Sequence, residues 1–410
     1  MNITVVHSLA AQSAGVVFRA LVSFLLVLYL GRVLGTDAFG HYIATLNTAI
    51  LALILIEAGW PTLLYREGAS TDATPARMAR LTAHAASSIL IAAFALIGAA
   101  LAWHAYGLAA SLFCVSTVAG TNLVSARMRG SGRFVLDALW QAGGRSVSAL
   151  AILVCVTWLG TRQLAPIFLA WGLSLIVLLL CVGQRWLALP RWRGLLASLT
   201  MAAPFLLFEG LNTILLKGDM AILGALDLPA RQLSWYAACS RLTEAALLLF
   251  APVTIVLLRQ LRQSVTKPDW FDRLTRLAVA GALVIGGAAL LASLLFAEPA
   301  MRWLFGAEFT AAGPLLPWIA AMLPFALANQ VLFQSLLARG GEHRLTRLLA
   351  LAAAALLLGL ALGVRLDGVR GAAIAVLAVQ ALLFGYGYAT RRIAIRASTA
   401  VLGNQAPGAN

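Results

Sequence analysis

Charge is what this chain of 410 residues has least of: 11% of it is Asp, Glu, Lys or Arg, while 61% is hydrophobic. Soluble domains carry about 25% charged residues, and a fold of this size in water could not hide so much apolar surface. The shortage excludes a soluble protein and leaves a polytopic membrane protein. Lysine is scarcer still: only Lys217 and Lys267 occur, and every other Lys/Arg position is Arg. The four cysteines (Cys114, Cys155, Cys181 and Cys239) all fall in apolar runs and none forms CxxC, so they read as small buried thiols. The five histidines are scattered, with no pair at metal-ligand spacing, so neither a metal nor another cofactor is expected. The opening "MNITVVHSLAAQSAG" lacks a basic stretch ahead of its apolar run, so a cleaved signal is not expected.

What is present is a series of apolar runs. A bilayer core takes roughly 20 apolar residues per helix. Twelve spans follow: 12–30, 42–65, 81–102, 106–125, 137–159, 164–183, 199–224, 234–258, 275–296, 311–336, 346–364 and 371–390. The net charge of +15 would suit a nucleic-acid binder only if it were gathered on one face. Here it lies in short loops between the spans, so no nucleic-acid partner is expected. Twenty cations fall in the even loops and the C-terminal tail, among them Arg66, Arg127, Arg129, Arg133, Arg259, Arg262, Arg391, Arg392 and Arg396. The same side carries six acids: Glu67, Asp72, Asp137, Asp269, Asp272 and Glu342. The odd loops carry six cations and five acids, Asp227 among them. The positive-inside rule therefore places both termini in the cytoplasm.

The two halves of the chain echo each other. "YLGRVLGTDAFGHY" (29–42) joins spans 1 and 2, and "AILGALDLPARQLSWY" (221–236) joins spans 7 and 8. "ARMARLTAHA" (76–85) opens span 3 as "FDRLTRLAVA" (271–280) opens span 9, and "ARMRGSGR" (126–133) closes span 4 as "LARGGEHR" (337–344) closes span 10. The offsets are 194, 196 and 210 residues, in order. Six spans per half is an even number, so both halves have the same orientation and relate by an axis along the membrane normal. The expected organisation is an N-terminal six-helix lobe (1–183), a cytoplasmic connection (184–198), a C-terminal six-helix lobe (199–396) and a cytoplasmic tail (397–410).

Eight charges lie within spans: Arg19, Glu57, Arg145, Glu209, Lys217, Asp219, Arg241 and Glu244. All but Arg145 fall in spans 1, 2, 7 and 8, the equivalent pairs of the repeat. A charge at mid-bilayer costs about 2.5–3.5 kcal/mol on insertion scales, so most of these should face a wet or protein-lined interior. Their depths along the spans suggest two layers: Arg19 with Glu57 and Glu209 inside, and Lys217 with Arg241 and Glu244 outside. Arg241 and Glu244 are three residues apart and share a helix face. Asp219 lies about 200° around the helix from Lys217 and reads as structural. Arg145 lies about 12 Å along its helix from the cytoplasmic end, within reach of snorkelling as well as of a cavity. The competing reading for every pair is a salt bridge that ties helices together. Pro61, Pro204, Pro252, Pro314, Pro317 and Pro324 interrupt spans, as hinges or as ordinary membrane prolines.

The order of "LGTDAFGHY" (34–42), "EAGWPTLLYRE" at the close of span 2, "KGDMAILGAL" with "WYAACSRLTEAA" across spans 7 and 8, and "FGAEFTAAGPLLPWIA" entering span 10 resembles polysaccharide flippases of the multidrug/oligosaccharidyl-lipid/polysaccharide exporter superfamily. The resemblance covers nearly the whole chain. Where many relatives show Gly-Leu at the close of span 2, this chain has Gly59-Trp60 followed by Pro61. The resemblance implies two six-helix lobes around a cavity lined by spans 1, 2, 7 and 8, and alternating access between inward-open and outward-open states. It implies transfer of undecaprenyl-diphosphate-linked sugars across a bacterial inner membrane. By carry-over, Arg19, Lys217, Arg241 and Arg145 would contact the diphosphate or sugar. Glu57, Glu209 and Glu244 would hold those cations, or titrate in a proton-coupled cycle. A proton or Na+ is the candidate coupling ion, and a polysaccharide polymerase a candidate partner.

Two other classes compete. A cation-coupled multidrug exporter of the same fold needs acids for cationic drugs, and the spans hold four cations and four acids, which selects neither. A membrane polymerase or ligase needs a substantial outer loop with catalytic groups. The longest expected outer loop is 296–310, and no nucleophile–base constellation stands out, so the chain does not read as an enzyme.

Overall fold

The computed structural model describes residues 3–70, 73–226, 228–265, 267–339 and 342–404. Asp72 and Asp227, the side chains of Pro252, Arg259, Arg262, Glu342, Arg391, Arg392 and Arg396, and residues 405–410 of the expected tail lie outside the described residues. Among the described residues all regular structure is helical, as the apolar runs require: in hydrocarbon a lone segment satisfies its backbone only by coiling on itself. The helices are α1 (Ile3–Glu57), α2 (Trp60–Gly68), α3 (Pro75–Ala102), α4 (Tyr106–Gly130), α5 (Phe134–Thr157), α6 (Leu164–Leu178), α7 (Leu195–Ala225), α8 (Ala230–Ser264), α9 (Pro268–Phe305), α10 (Leu316–Ala320), α11 (Leu323–Ala338) and α12 (Glu342–Asn404).

Nine segments among the described residues are long and apolar enough to cross a membrane. Two of them, Ala14–Glu57 with 44 residues and Arg344–Thr390 with 47, have the length of two crossings. They bend at Gly35 and at Asp367–Gly368. With α8, each of the twelve expected spans falls on helix. The chain is a polytopic all-α membrane protein.

The differences lie at the joints. The expected loop after span 1 is a bend at Gly35 (φ 74°), with Leu34, Phe39 and Tyr42 packed inside and Tyr42 stacked on Phe168 at 5.1 Å. The expected outer loop 296–310 is largely the end of α9, kinked at Phe296, followed by a 3-10 stretch Ala307–Leu315. Span 10 is not one helix but that 3-10 stretch, α10 and α11. Its three prolines, Pro314, Pro317 and Pro324, each lack the N–H that a continuous helix needs.

Packing divides the chain into two compact units, Met1–Ser234 and Trp235–Asn410. In the first unit, α4 packs on α6, α1 on α5, and α7 runs along α1 and against α2 and α3. The packing boundary at Ser234 therefore differs from the repeat boundary at 184–198. The 184–194 connection is fastened to α3. His84, 2% exposed, contacts the Ser198 hydroxyl at 2.7 Å and the Arg193 carbonyl at 3.0 Å. The Arg191 N–H donates to the Ser87 hydroxyl at 2.7 Å, and that hydroxyl donates to the Arg191 carbonyl at 3.0 Å. In the second unit, α9 packs on α11, and α11 on α12. Exposed tryptophans mark helix ends, as bilayer interfaces favour: Trp103 and Trp158 at the ends of α3 and α5, and Trp270 and Trp303 at opposite ends of α9.

The joint that shapes the first unit is Ala58–Gly59, where span 2 breaks. Ala58 has φ 46° and Gly59 φ 76°, so α1 stops at Glu57 and α2 restarts at Trp60-Pro61. A Cβ on Gly59 would lie 2.5 Å from the Leu206 nitrogen and 2.6 Å from the Ala202 carbonyl oxygen of α7. Trp60 is fully buried in the core with Leu63, Leu64, Leu81 and Leu123. Gly59→Ala should lower stability by about 2 kcal/mol, from left-handed strain and the clash with α7. Gly98→Ala, where an added Cβ meets nothing within 4 Å, should not lower it. Thermal unfolding in detergent compares the two; equal midpoints would contradict the close approach.

Candidate functional site

The break at Gly59 opens one side of α1 and α2 toward α7, and a cavity of about 420 Å³ lies there within the first unit. Its polar lining comes from five helices. The α1 helix gives Arg19 and Glu57, α2 gives Thr62, and α4 gives Asn122, Ser125 and Arg129. Gln141 comes from α5, and Glu209, Asn212 and Thr213 from α7. Apolar walls are Ile50, Leu53, Ile54, Pro61 and Phe208. The expected inner layer of Arg19, Glu57 and Glu209 thus lines one space, but each charge has its own neutral partner. Arg19 donates to the Gln141 carbonyl oxygen. Asn122 donates to Glu57 at 2.6 Å. Thr62 donates to Glu209.

Each arrangement has a local reason. Glu57 is the last residue of α1, where the helix dipole disfavours a carboxylate, and the Asn122 amide offsets that. Glu209, Asn212 and Thr213 occupy one face of α7 because they are three and four residues apart. Pro204, one turn earlier, removes an N–H from α7 near the place where Gly59 meets it.

Sequence reading missed most of the lining. Arg129 and Asp137, counted there as loop charges, sit at the mouth of the α4–α5 hairpin. Arg129 lines the cavity, and Asp137 is 1% exposed behind it. Asp137 accepts from Ser125 and, at 2.8 Å, from Gln141, and lies 3.6 Å from Arg129 Nε. The signal was periodicity. Asn122, Ser125 and Arg129 recur at steps of three and four, as do Asp137, Gln141, Arg145 and Ser148, giving two polar stripes at helical spacing.

The other expected residues lie elsewhere. Arg145 stands over the Trp171 ring at 5.0 Å, between α5 and α6, and is not among the lining residues. Lys217 is half-buried on α7, two turns beyond Glu209. Asp219 accepts from the Met220 N–H at 2.8 Å. In the second unit Arg241 donates to Glu244 at 2.7 Å, the shared-face pairing expected from their spacing. A pocket of about 340 Å³ between α8 and α9 is lined by the exposed Gln260, Gln263, Lys267 and Trp270 with half-buried Leu274 and buried Ser264. Among the described residues no group of three or more His, Cys, Asp or Glu could hold a metal.

The cavity holds two guanidiniums against two carboxylates, with three amides and three hydroxyls. Such a lining suits a ligand that is both charged and rich in hydroxyl groups. In a variant with the four cysteines replaced by Ala, Thr213→Cys should react with a membrane-impermeant maleimide. Phe94→Cys should not, because Phe94 is a 74%-exposed side chain on the outer face of α3 and should face lipid. Equal labelling would contradict a wet cavity.

Comparison with known proteins bears on this geometry. The family described as "Polysaccharide biosynthesis protein" matches residues 5–258. No curated protein sequence matches the chain. Among solved structures, lipid II flippase MurJ in its inward closed conformation is similar over 93% of this chain and 87% of that one, with TM-score 0.77 and 12% identity. A multidrug resistance MATE family transporter of the MOP superfamily in an inward-facing conformation is similar over 95% and 96%, with TM-score 0.75 and 14% identity. The Vibrio cholerae MATE transporter VcmN in its bent form is similar over 95% and 97%, with TM-score 0.55 and 16% identity. At these identities the structural likeness shows a shared fold.

Proposed function

The chain belongs to the polysaccharide biosynthesis protein family, and on that premise we propose that it moves undecaprenyl-diphosphate-linked oligosaccharide from the inner to the outer leaflet of a bacterial inner membrane. The product would serve O-antigen, capsule or exopolysaccharide assembly. The observation that carries the reading is Arg19. It is a guanidinium at membrane depth, lining a cavity shared with Arg129, two carboxylates, amides and hydroxyls, in a chain whose fold resembles that of a lipid II flippase.

The chemistry supports it. A diphosphate entering a low-dielectric space needs cations, and Arg supplies paired donors for its oxygens. A glycan needs amides and hydroxyls, which Asn122, Gln141, Asn212, Thr62 and Thr213 supply. In this reading Arg19 contacts the diphosphate, and Lys217 and Arg145 of the first unit and Arg241 of the second are further candidate substrate contacts. Glu57 and Glu209, each held by a neutral donor, and Glu244 are the candidates for coupling to a proton or Na+. The two six-helix halves of the sequence repeat exchange access between leaflets, and both termini lie in the cytoplasm. The work is binding and release, so the protein is not an enzyme. A polysaccharide polymerase would take the product on the outer side.

The resemblance to MATE transporters favours a second reading, a cation-coupled multidrug exporter. The two carboxylates in the cavity suit a cationic drug, but the two guanidiniums beside them do not. Arg19→Ala and Arg241→Ala should each cut surface polysaccharide roughly tenfold in a strain that relies on this protein, the loss of a charge-assisted contact. Resistance to cationic dyes should stay unchanged on expression. Normal polysaccharide from both variants, or dye resistance from the wild type, would overturn the flippase.

A further inference from the structure

The α4–α5 hairpin is built around a charge pair. Arg129 lies in the last turn of α4 and Asp137 in the first turn of α5, the helix ends whose dipoles favour a cation and an anion. Between them Ser131-Gly132-Arg133 turns the chain, with Gly132 at φ 74°, a conformation that favours glycine. The Gly132 N–H bonds the Arg129 carbonyl at 3.0 Å, and the Asp137 N–H bonds the Arg133 carbonyl at 3.0 Å, which fixes both helix ends. The two side chains therefore face each other across a short rigid turn.

The pairing is one-sided. Asp137 is 1% exposed and its oxygens are taken up by Ser125, Gln141 and, at 3.5 Å, Gln12 of α1. Arg129 is 36% exposed on its side chain. Its Nε is enclosed without a hydrogen-bond partner, and the 3.6 Å to Asp137 is an ion-pair distance beyond hydrogen-bonding range. One side of the guanidinium lies over the Tyr65 ring at 5.8 Å, and the group borders the cavity. Asp137 thus balances the charge of Arg129 without using up its donors. The same carboxylate accepts from Gln141, whose carbonyl oxygen in turn accepts from Arg19. One buried carboxylate orients two guanidiniums that line one space.

We propose that Arg129 is a second ligand-contacting cation, acting with Arg19 on the diphosphate of the substrate, and that Asp137 is the positioning residue for both. The proposal rests on the flippase reading of this cavity. It assigns anion recognition to a hairpin outside the helices that bear most of the intramembrane charges, and it explains why an acid stands fully buried behind a site for an anion. Asp137 is screened from the ligand and balances the charge of a cation that borders the cavity.

The test is binding of radiolabelled farnesyl diphosphate to the purified full chain in detergent, with unlabelled farnesol measured as a neutral competitor. The wild type should bind farnesyl diphosphate at least about tenfold more tightly than farnesol. Arg129→Ala and Asp137→Asn should each weaken farnesyl diphosphate about tenfold and leave farnesol unchanged. Arg129→Lys and Asp137→Glu should recover part of the loss. Should Asp137→Asn elute as aggregate, Gln141→Ala takes its place, because it releases Arg19 and leaves the buried carboxylate with Ser125 and Arg129. Wild-type affinity in Arg129→Ala and Asp137→Asn would overturn the inference and leave the flippase reading with Arg19 alone. Equal losses for both ligands would overturn it in favour of a purely structural hairpin. A wild type that does not prefer farnesyl diphosphate over farnesol would overturn the diphosphate reading and this inference together.

Discussion

The buried carboxylate of Asp137 is the contact on which the arrangement of the first unit turns. An ion held away from water must be met by donors, because its desolvation is offset only by close and well-formed interactions. Asp137 collects those donors from α1, α4 and α5 through Gln12, Ser125 and Gln141, with Arg129 as counter-charge. Those contacts hold α1 against α5 and orient Arg19 through Gln141. Removing the acid would take away the counter-charge of Arg129, and removing Arg129 would leave the acid with neutral donors alone. The cavity is therefore bordered by two guanidiniums, Arg19 and Arg129, that this one carboxylate holds in place, the first through Gln141 and the second by its charge.

Backbone discontinuities give that network its room. A continuous span 2 would carry Glu57 and Thr62 around one unbroken helix. The left-handed Ala58–Gly59 step restarts the chain as α2 and lets α7 approach the glycine more closely than any side chain would permit. Pro204 loosens α7 at the same level. Thr62 then reaches Glu209, and Asn122 reaches the carboxylate at the end of α1. Charge, helix break and cavity are three aspects of one local solution.

Much of this was legible in the chain and some was not. The spans, the all-helical class and the grouping of Arg19, Glu57 and Glu209 followed from hydropathy and from the cost of charge in lipid, which act residue by residue. The Arg241–Glu244 pair followed from helical spacing. The joints did not follow: a bend at Gly35 and a break at Gly59 depend on which helix packs against the glycine, and that is a long-range fact. Arg129 and Asp137 were passed over because a charge next to a turn is ordinarily a solvated loop charge. Only the period of three and four shared by Asn122, Ser125 and Arg129, and by Asp137 and Gln141, marked them as two facing polar stripes. Trp60 stood out as a departure from relatives and proved to be core.

The central claim is that this cavity passes a lipid-linked glycan from one leaflet to the other. The direct measurement is on proteoliposomes loaded with an undecaprenyl-diphosphate-linked oligosaccharide that carries a label removable by a membrane-impermeant glycosidase. Vesicles containing the protein should lose nearly all of the label, and protein-free vesicles about half, the share on the outer leaflet. If vesicles with the protein also stop at about half, under imposed proton or Na+ gradients of either direction, the account is contradicted.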